Sequence, residues 1–110
     1  MKKIEFLVQG SAKEPYKVEF FKEDNNLTAH CSCPAGIKKQ YCKHRFSILN
    51  GDIDAIVSDN AKEVEEVSLW LDGSDVEIAM KEVRILEVEA ERIKKELSKS
   101  KKALASAMYN

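Results

Sequence analysis

No stretch of this sequence is apolar for anything near the roughly 20 residues that a membrane-spanning helix needs. The opening MKKIEFLVQG is broken by Glu5 and Gln9 before a signal-type apolar core develops, so a cytosolic protein with no membrane partner is expected. Aromatic residues are sparse at 7% while charged residues reach 34%, which points to long exposed helical surface rather than a large globular core. Catalytic constellations are missing as well. There are only two histidines, no Gly-x-Ser-x-Gly turn, no Gly-x-x-x-x-Gly-Lys phosphate loop and no His-x-Glu with Pro-Cys-x-x-Cys. No enzyme is expected. Cysteine is limited to three, an odd number that would leave a disulfide framework with one thiol over.

What is there begins with an uneven distribution of charge. Residues 1–51 hold nine Lys/Arg against five Asp/Glu, residues 52–91 three against thirteen, and residues 92–102 six against one. The local balances of +4, −10 and +5 leave a net charge of −1 over 110 residues and 12.5 kDa, a length near that of one domain. The basic head and tail could meet phosphate, but the acidic middle would repel it.

Periodicity separates the two halves. Ile4, Phe6 and Val8 alternate with Lys3, Glu5, Leu7 and Gln9, and after the breaker-rich segment 10–15 Tyr16, Val18 and Phe20 alternate with Lys17 and Glu19. The segment 23–26 supplies turn residues, after which Leu27, Ala29, Cys31 and Cys33 continue the period of two. Residues 16–22 and 27–31 therefore read as a hairpin, to which a strand at 3–9 could add a third member. From Cys42 the pattern becomes helical, with Phe46, Ile48 and Leu49 before a stop at Asn50-Gly51. A further helix carries Val64, Val67, Trp70 and Leu71 on one side, with a turn of helix expected around Ile53–Val57. Ser74-Asp75-Val76-Glu77 matches a capping box and opens the last helix.

That last helix carries a seam of Val76, Ala79, Val83, Leu86, Ala90, Ile93, Leu97, Ser100, Leu104 and Ala107, spaced 3, 4, 3, 4 as in a heptad repeat. It should run for roughly 50 Å, and the preceding helix, about three turns long, is too short to cover Leu97 or Leu104. Ile78, Ile85 and Val88 form a second stripe. Val83, Leu86, Ala90, Ile93, Leu97 and Leu104 are thus the candidate seam for a partner protein or for a coiled-coil homodimer.

The chemistry is concentrated in Cys31-Ser32-Cys33, eight residues, then Cys42-Lys43-His44. Strand alternation sends the first two thiols to one face, and a turn at Pro34-Ala35-Gly36 lets the chain bring Cys42 and His44 back to them. Two residues apart, Cys42 and His44 differ by about 200° on a helix, so they belong at its irregular first turn, with the helix proper starting near His44. Three thiolates and an imidazole complete a tetrahedral zinc site, and this marks the metal as structural. A redox centre would call for Cys-x-x-Cys, and Cys-x-Cys is poor disulfide geometry. His30 lies beside the ligands, but alternation turns it away.

Ala29-His30-Cys31-Ser32-Cys33-Pro34-Ala35-Gly36, followed by Tyr41-Cys42-Lys43-His44-Arg45, resembles the SWIM-type zinc finger, whose pattern is Cys-x-Cys, a variable gap, then Cys-x-His. The resemblance covers about residues 16–51 and implies two strands and a helix around zinc, with Cys31, Cys33, Cys42 and His44 as its ligands. SWIM modules accompany larger machines such as Snf-type ATPases and transposases, where they are taken to bind DNA or protein.

The resulting expectation is an α+β chain. A small zinc-stabilised β-β-α finger occupies residues 1–51, and a helical hairpin with the long heptad helix occupies 52–110. Two functions compete: a DNA- or RNA-binding finger using Lys38, Lys39, Lys43 and Arg45, and a protein adaptor or inhibitor docking on a larger machine through the seam. The acidic middle and the seam favour the second.

Overall fold

The computed structural model describes residues 1–109. Three antiparallel strands, β1 (Lys2–Val8), β2 (Tyr16–Glu23) and β3 (Asn26–Cys31), form a sheet in the order β1-β2-β3. Helices α1 (Pro34–Ile37), α2 (Lys43–Leu49), α3 (Val64–Leu71) and α4 (Asp75–Ala107) follow, with a 3₁₀ turn at Ala61–Glu63. The chain divides into two compact units, one from Met1 to Glu77 and one beginning at Ile78.

In the first unit, register and alternation agree. Phe6 pairs with Val18 and Val18 with Cys31, while Ile4 pairs with Phe20 and Phe20 with Ala29. The period of two therefore gives the sheet one apolar face, on which Ile4, Phe6, Val8, Val18, Phe20, Leu27 and Cys31 are all buried. Phe6 and Phe20 meet edge to face at 6.0 Å between ring centroids. The opposite face carries Lys3, Glu5, Lys17 and Glu19, with Lys3 bridging Glu19 at 2.9 Å. The strand-to-strand turn at Asp24-Asn25 places Asp24 at φ +53, a conformation Asp tolerates. Ile48 and Leu49 of α2, with Val64, Val67 and Trp70 of α3, are buried in the same unit.

Gly51 ends α2 as expected, at φ +89, and its N–H donates to Ile48 O at 2.9 Å. The expected turn of helix around Ile53–Val57 does not form. That segment runs alongside β1 instead: Gln9 N–H donates to Ala55 O and Val57 N–H to Leu7 O, both at 2.8 Å, and Ile56 bridges Val8. Ser58 Oγ and Asn60 Nδ2 continue the pairing with Leu7 N–H and Glu5 O. An otherwise open sheet edge is covered in this way, and that need outweighs the helix-like spacing of Ile53, Ile56 and Val57.

Ser74 caps α4, its buried Oγ accepting from Glu77 N–H at 3.2 Å. The reciprocal half of the capping box is shifted by one residue: the Glu77 carboxylate accepts from Gly73 N–H at 3.1 Å, because Ser74 N–H is already given to Leu71 O. Asp75 accepts from Leu27 N–H and donates its own N–H to Asn25 O, so the start of α4 is tied to the β2–β3 turn.

The second unit is helix. Over its 33 residues α4 extends roughly 50 Å, as the uninterrupted heptad spacing anticipates. Val83, Leu86, Ile93, Leu97 and Leu104 are between 40% and 60% exposed, and Ile78, Ile85 and Val88 are more open still or equally so.

Candidate metal centre

β3 ends at Cys31, so its thiol emerges from the apolar face of the sheet. Cys33 follows as the N-cap of α1, and its sulfur accepts from Gly36 N–H at 3.3 Å. The expected turn at Pro34-Ala35-Gly36 is thus one turn of helix, with Pro at its first position where a missing N–H costs nothing. Cys42 is the extended N-cap of α2 (φ −140°, ψ 120°) and His44 is the second residue of that helix. Placing one ligand before the helix and one inside it resolves the directional conflict of a Cys-x-His pair.

The three sulfurs and the imidazole converge, all four ligand atoms lying within 4.8 Å of one another. Cys33 Sγ is 3.4 Å from Cys42 Sγ, and His44 Nδ1 is 3.5 Å from Cys42 Sγ and 3.8 Å from Cys31 Sγ. These separations suit zinc. Bond lengths of about 2.3 Å to sulfur and about 2.0–2.1 Å to nitrogen put tetrahedral ligands roughly 3.5–3.8 Å apart. A disulfide, at about 2.05 Å, is far from the observed sulfur spacing, and all three cysteines are free and buried.

Three thiolates around a divalent ion leave an excess negative charge, which the backbone is arranged to meet. Cys33 N–H donates to Cys31 Sγ at 3.5 Å, Gly36 N–H donates to Cys33 Sγ, and Arg45 N–H serves Cys42. Without metal the thiols are unequal. Burial pushes Cys31 up to about 12, against the smaller pull of the Cys33 N–H. Burial also opposes ionisation of Cys42, but the Arg45 N–H and hydrogen bonds from Cys33, Cys31 and His44 outweigh it and bring that thiol down to about 6. Cys42 is thus a readier thiolate than Cys31.

Two glycines make the arrangement possible. A Cβ on Gly36 would lie 2.3 Å from Cys31 O and 2.8 Å from Cys31 Cβ, so α1 can pass beneath the end of β3 only without a side chain. Gly10 gives room to the Tyr16 ring, which packs at 5.0 Å from the His44 ring, and to His44 Nε2, which is buried without a hydrogen-bond partner. In the sequence both read only as turn or breaker residues. Cys31 and Cys33 mark the neighbourhood of Gly36, but nothing local reports a close approach.

His30 lies on the opposite face of the sheet with its ring against Phe21 at 5.7 Å. The four cationic candidates divide. Lys38, Lys39 and Lys43 are exposed around the centre, whereas the Arg45 guanidinium donates to Ala29 O and Gln40 O and ties the α1–α2 loop to β3. Tyr41 is exposed and stacks on Phe46 at 4.5 Å. The six seam residues Val83, Leu86, Ala90, Ile93, Leu97 and Leu104 fall along α4, outside the unit that holds the metal centre.

Residues 6–49 match the family model of the SWIM zinc finger. That stretch contains the whole sulfur–imidazole cluster, and it is a zinc-binding module. No curated protein and no solved structure matches the chain.

Proposed function

We propose, from the premise that residues 6–49 form a SWIM zinc finger, that this protein is a non-enzymatic interaction module. In this reading Cys31, Cys33, Cys42 and His44 hold one structural zinc, and α4 docks on a protein belonging to a larger protein or nucleic-acid machine, as adaptor or inhibitor. Bound zinc supplies a tetrahedral cross-link between the end of β3 and the start of α2, and four protein donors leave it no water position. The observation that supports an interaction role is the row of exposed apolar residues on α4, Val83, Leu86, Ile93, Leu97 and Leu104. At roughly 25 cal/mol per Å² of apolar surface removed from water, covering them contributes several kcal/mol to an association.

The test has two arms. X-ray absorption of the zinc-loaded protein should give three sulfurs and one nitrogen, and a water in place of a protein ligand would contradict the structural role. Replacing Leu86, Ile93 and Leu97 together by Ser, with zinc still bound, should abolish capture of the protein partner from the source cell. Unchanged capture would move the interaction elsewhere.

Exposed Lys38, Lys39 and Lys43 beside Tyr41 support a second reading, in which the finger contacts DNA or RNA phosphate. It requires binding that weakens steeply with salt, with the salt slope falling by about 1 for each lysine that is replaced.

A further inference from the structure

The residues flanking the α4 seam carry opposite charges on its two sides. With Val83, Ala90, Leu97 and Leu104 in one row of the seam and Leu86, Ile93 and Ser100 in the other, Glu89 and Glu96 border one edge. Lys94 and Lys101 border the other edge. Arg92 bridges Glu89 at 3.9 Å and Glu96 at 3.1 Å, which holds both carboxylates along their edge.

We propose that α4 pairs in parallel with α4 of a second copy of this chain, through the seam from Val83 to Leu104. This rests on the reading of α4 as an interaction helix: the second copy takes the seam, and the paired helices are the unit that docks on the larger machine. In a parallel pair each residue on the glutamate edge meets the residue five positions further on in the partner's lysine edge. Glu89 then faces Lys94 of the second copy and Glu96 faces Lys101 of the second copy, and symmetry repeats both pairs. One like-charge pair, Glu82 with Glu87 of the second copy, opposes them at the start of the seam. Parallel pairing also places each residue against itself, so Leu86, Ile93, Leu97 and Leu104 stack large on large while Ala90 and Ser100 stack small on small.

The antiparallel alternative matches size equally well, with Leu86 against Leu104 and Ile93 against Leu97. Its charges do not match. Lys94 would face Lys94 of the second copy and Glu96 would face Glu96, leaving Glu87 with Lys101 as the attractive pair. Charge therefore selects the parallel arrangement, in which both copies enter the pair from the same end. The small layers at Ala90 and Ser100 keep the association modest.

Zinc-loaded full-length protein should sediment as a dimer that dissociates on dilution. Glu89→Lys with Glu96→Lys, a change between good helix formers, should weaken the dimer by about tenfold or more, since attraction becomes repulsion at four places. Mixing that variant with Lys94→Glu/Lys101→Glu should restore a mixed dimer. Ser100→Cys should link two chains under mild oxidation, because only the parallel pair brings this position against itself. A monomer at high protein concentration, a trimer or larger assembly, insensitivity to the charge reversal, or a Ser100→Cys dimer that fails to link would each overturn the proposal. A monomer that still captures another protein through Leu86, Ile93 and Leu97 overturns self-pairing alone; loss of both overturns the interaction reading as well.

Discussion

Replacing Gly36 by Ala should damage the metal centre more than any other single methyl group added to the finger. The new Cβ would lie 2.3 Å from Cys31 O, 2.8 Å from Cys31 Cβ and 2.9 Å from Cys31 C. An unstrained carbon–oxygen contact is about 1 Å longer, and the obstructing atoms are backbone or next to it, so no rotamer change relieves the clash. Either α1 moves away from β3 or the end of β3 moves, and in both cases Cys31 and Cys33 shift relative to each other. The Gly36 N–H bond to Cys33 Sγ stretches with them. Metal–ligand distances tolerate only about 0.2 Å. Overpacking of this kind costs about 1–3 kcal/mol, which corresponds to a drop in zinc affinity of about five- to 150-fold. Competition against a chromophoric chelator measures the affinity, and the ligand-field bands of the cobalt-substituted protein report the geometry. Gly10→Ala is the comparison: its Cβ meets the Tyr16 ring at 2.5 Å, a side chain that can swing aside, and reaches the metal-held His44 ring only at Nε2, 3.0 Å away, so its effect should be smaller. Gly36→Ala with wild-type affinity and an unchanged cobalt spectrum would refute the reasoning.

The ligand set makes a second prediction: the protein holds one zinc per chain, Cys33→Ser, Cys42→Ser and His44→Ala lose it, and His30→Ala retains it, all read by metal analysis. Zinc affinity should rise with pH. The metal-free Cys31 thiol, held up to about 12, surrenders its proton on binding at pH 7, and below about 6 the Cys42 thiol has a proton to surrender as well. Calorimetry in buffers of different ionisation enthalpy should therefore find at least one proton released per zinc at pH 7, and none released would contradict the assignment. Ser74→Ala removes a buried cap and should cost about 1 kcal/mol, lowering Tm by roughly 4–8 °C, with zinc stoichiometry unchanged.

The parts of the fold that were legible in the sequence are those set by a period or by a ligand spacing. Alternation at Ile4-Phe6-Val8 and Val18-Phe20 located the strands because one face of the sheet is buried and the other is charged. Cys-x-Cys and Cys-x-His located the centre because the four donors are close in sequence. The heptad spacing located α4 because nothing interrupts it. The segment 53–57 departs from the helical turn that the spacing of Ile53, Ile56 and Val57 suggests because the deciding influences are not periodic: the Asp52 carboxylate accepts from Asp54 N–H at 2.9 Å, and the backbone of β1 needs partners. Arg45 likewise read as a surface cation, although its guanidinium serves two backbone carbonyls. A close approach at Gly36, or a carbonyl in search of a donor, is a property of two chain segments and leaves no trace in either.

The metal centre and the apolar core of the first unit are one structure rather than two. α2 contributes Ile48 and Leu49 to the core, yet it is only seven residues long and begins without a side-chain cap. A helix this short has little stability of its own. Its first turn is fixed through Cys42 and His44, which sit one before and one inside that turn and are held against sulfurs at the end of β3. The same geometry that satisfies zinc therefore sets where Ile48 and Leu49 meet the sheet, and the packing of those residues presents the ligands to the metal. Apparent zinc binding free energies of about 10–16 kcal/mol equal or exceed the whole stability of a small domain. Removing the metal should thus release α2 and the α1–α2 loop together, and with them the exposed surface of Lys38, Lys39, Tyr41 and Lys43. Any contact made by that surface should then depend on zinc, while the seam on α4, in the second unit, holds no ligand of the metal.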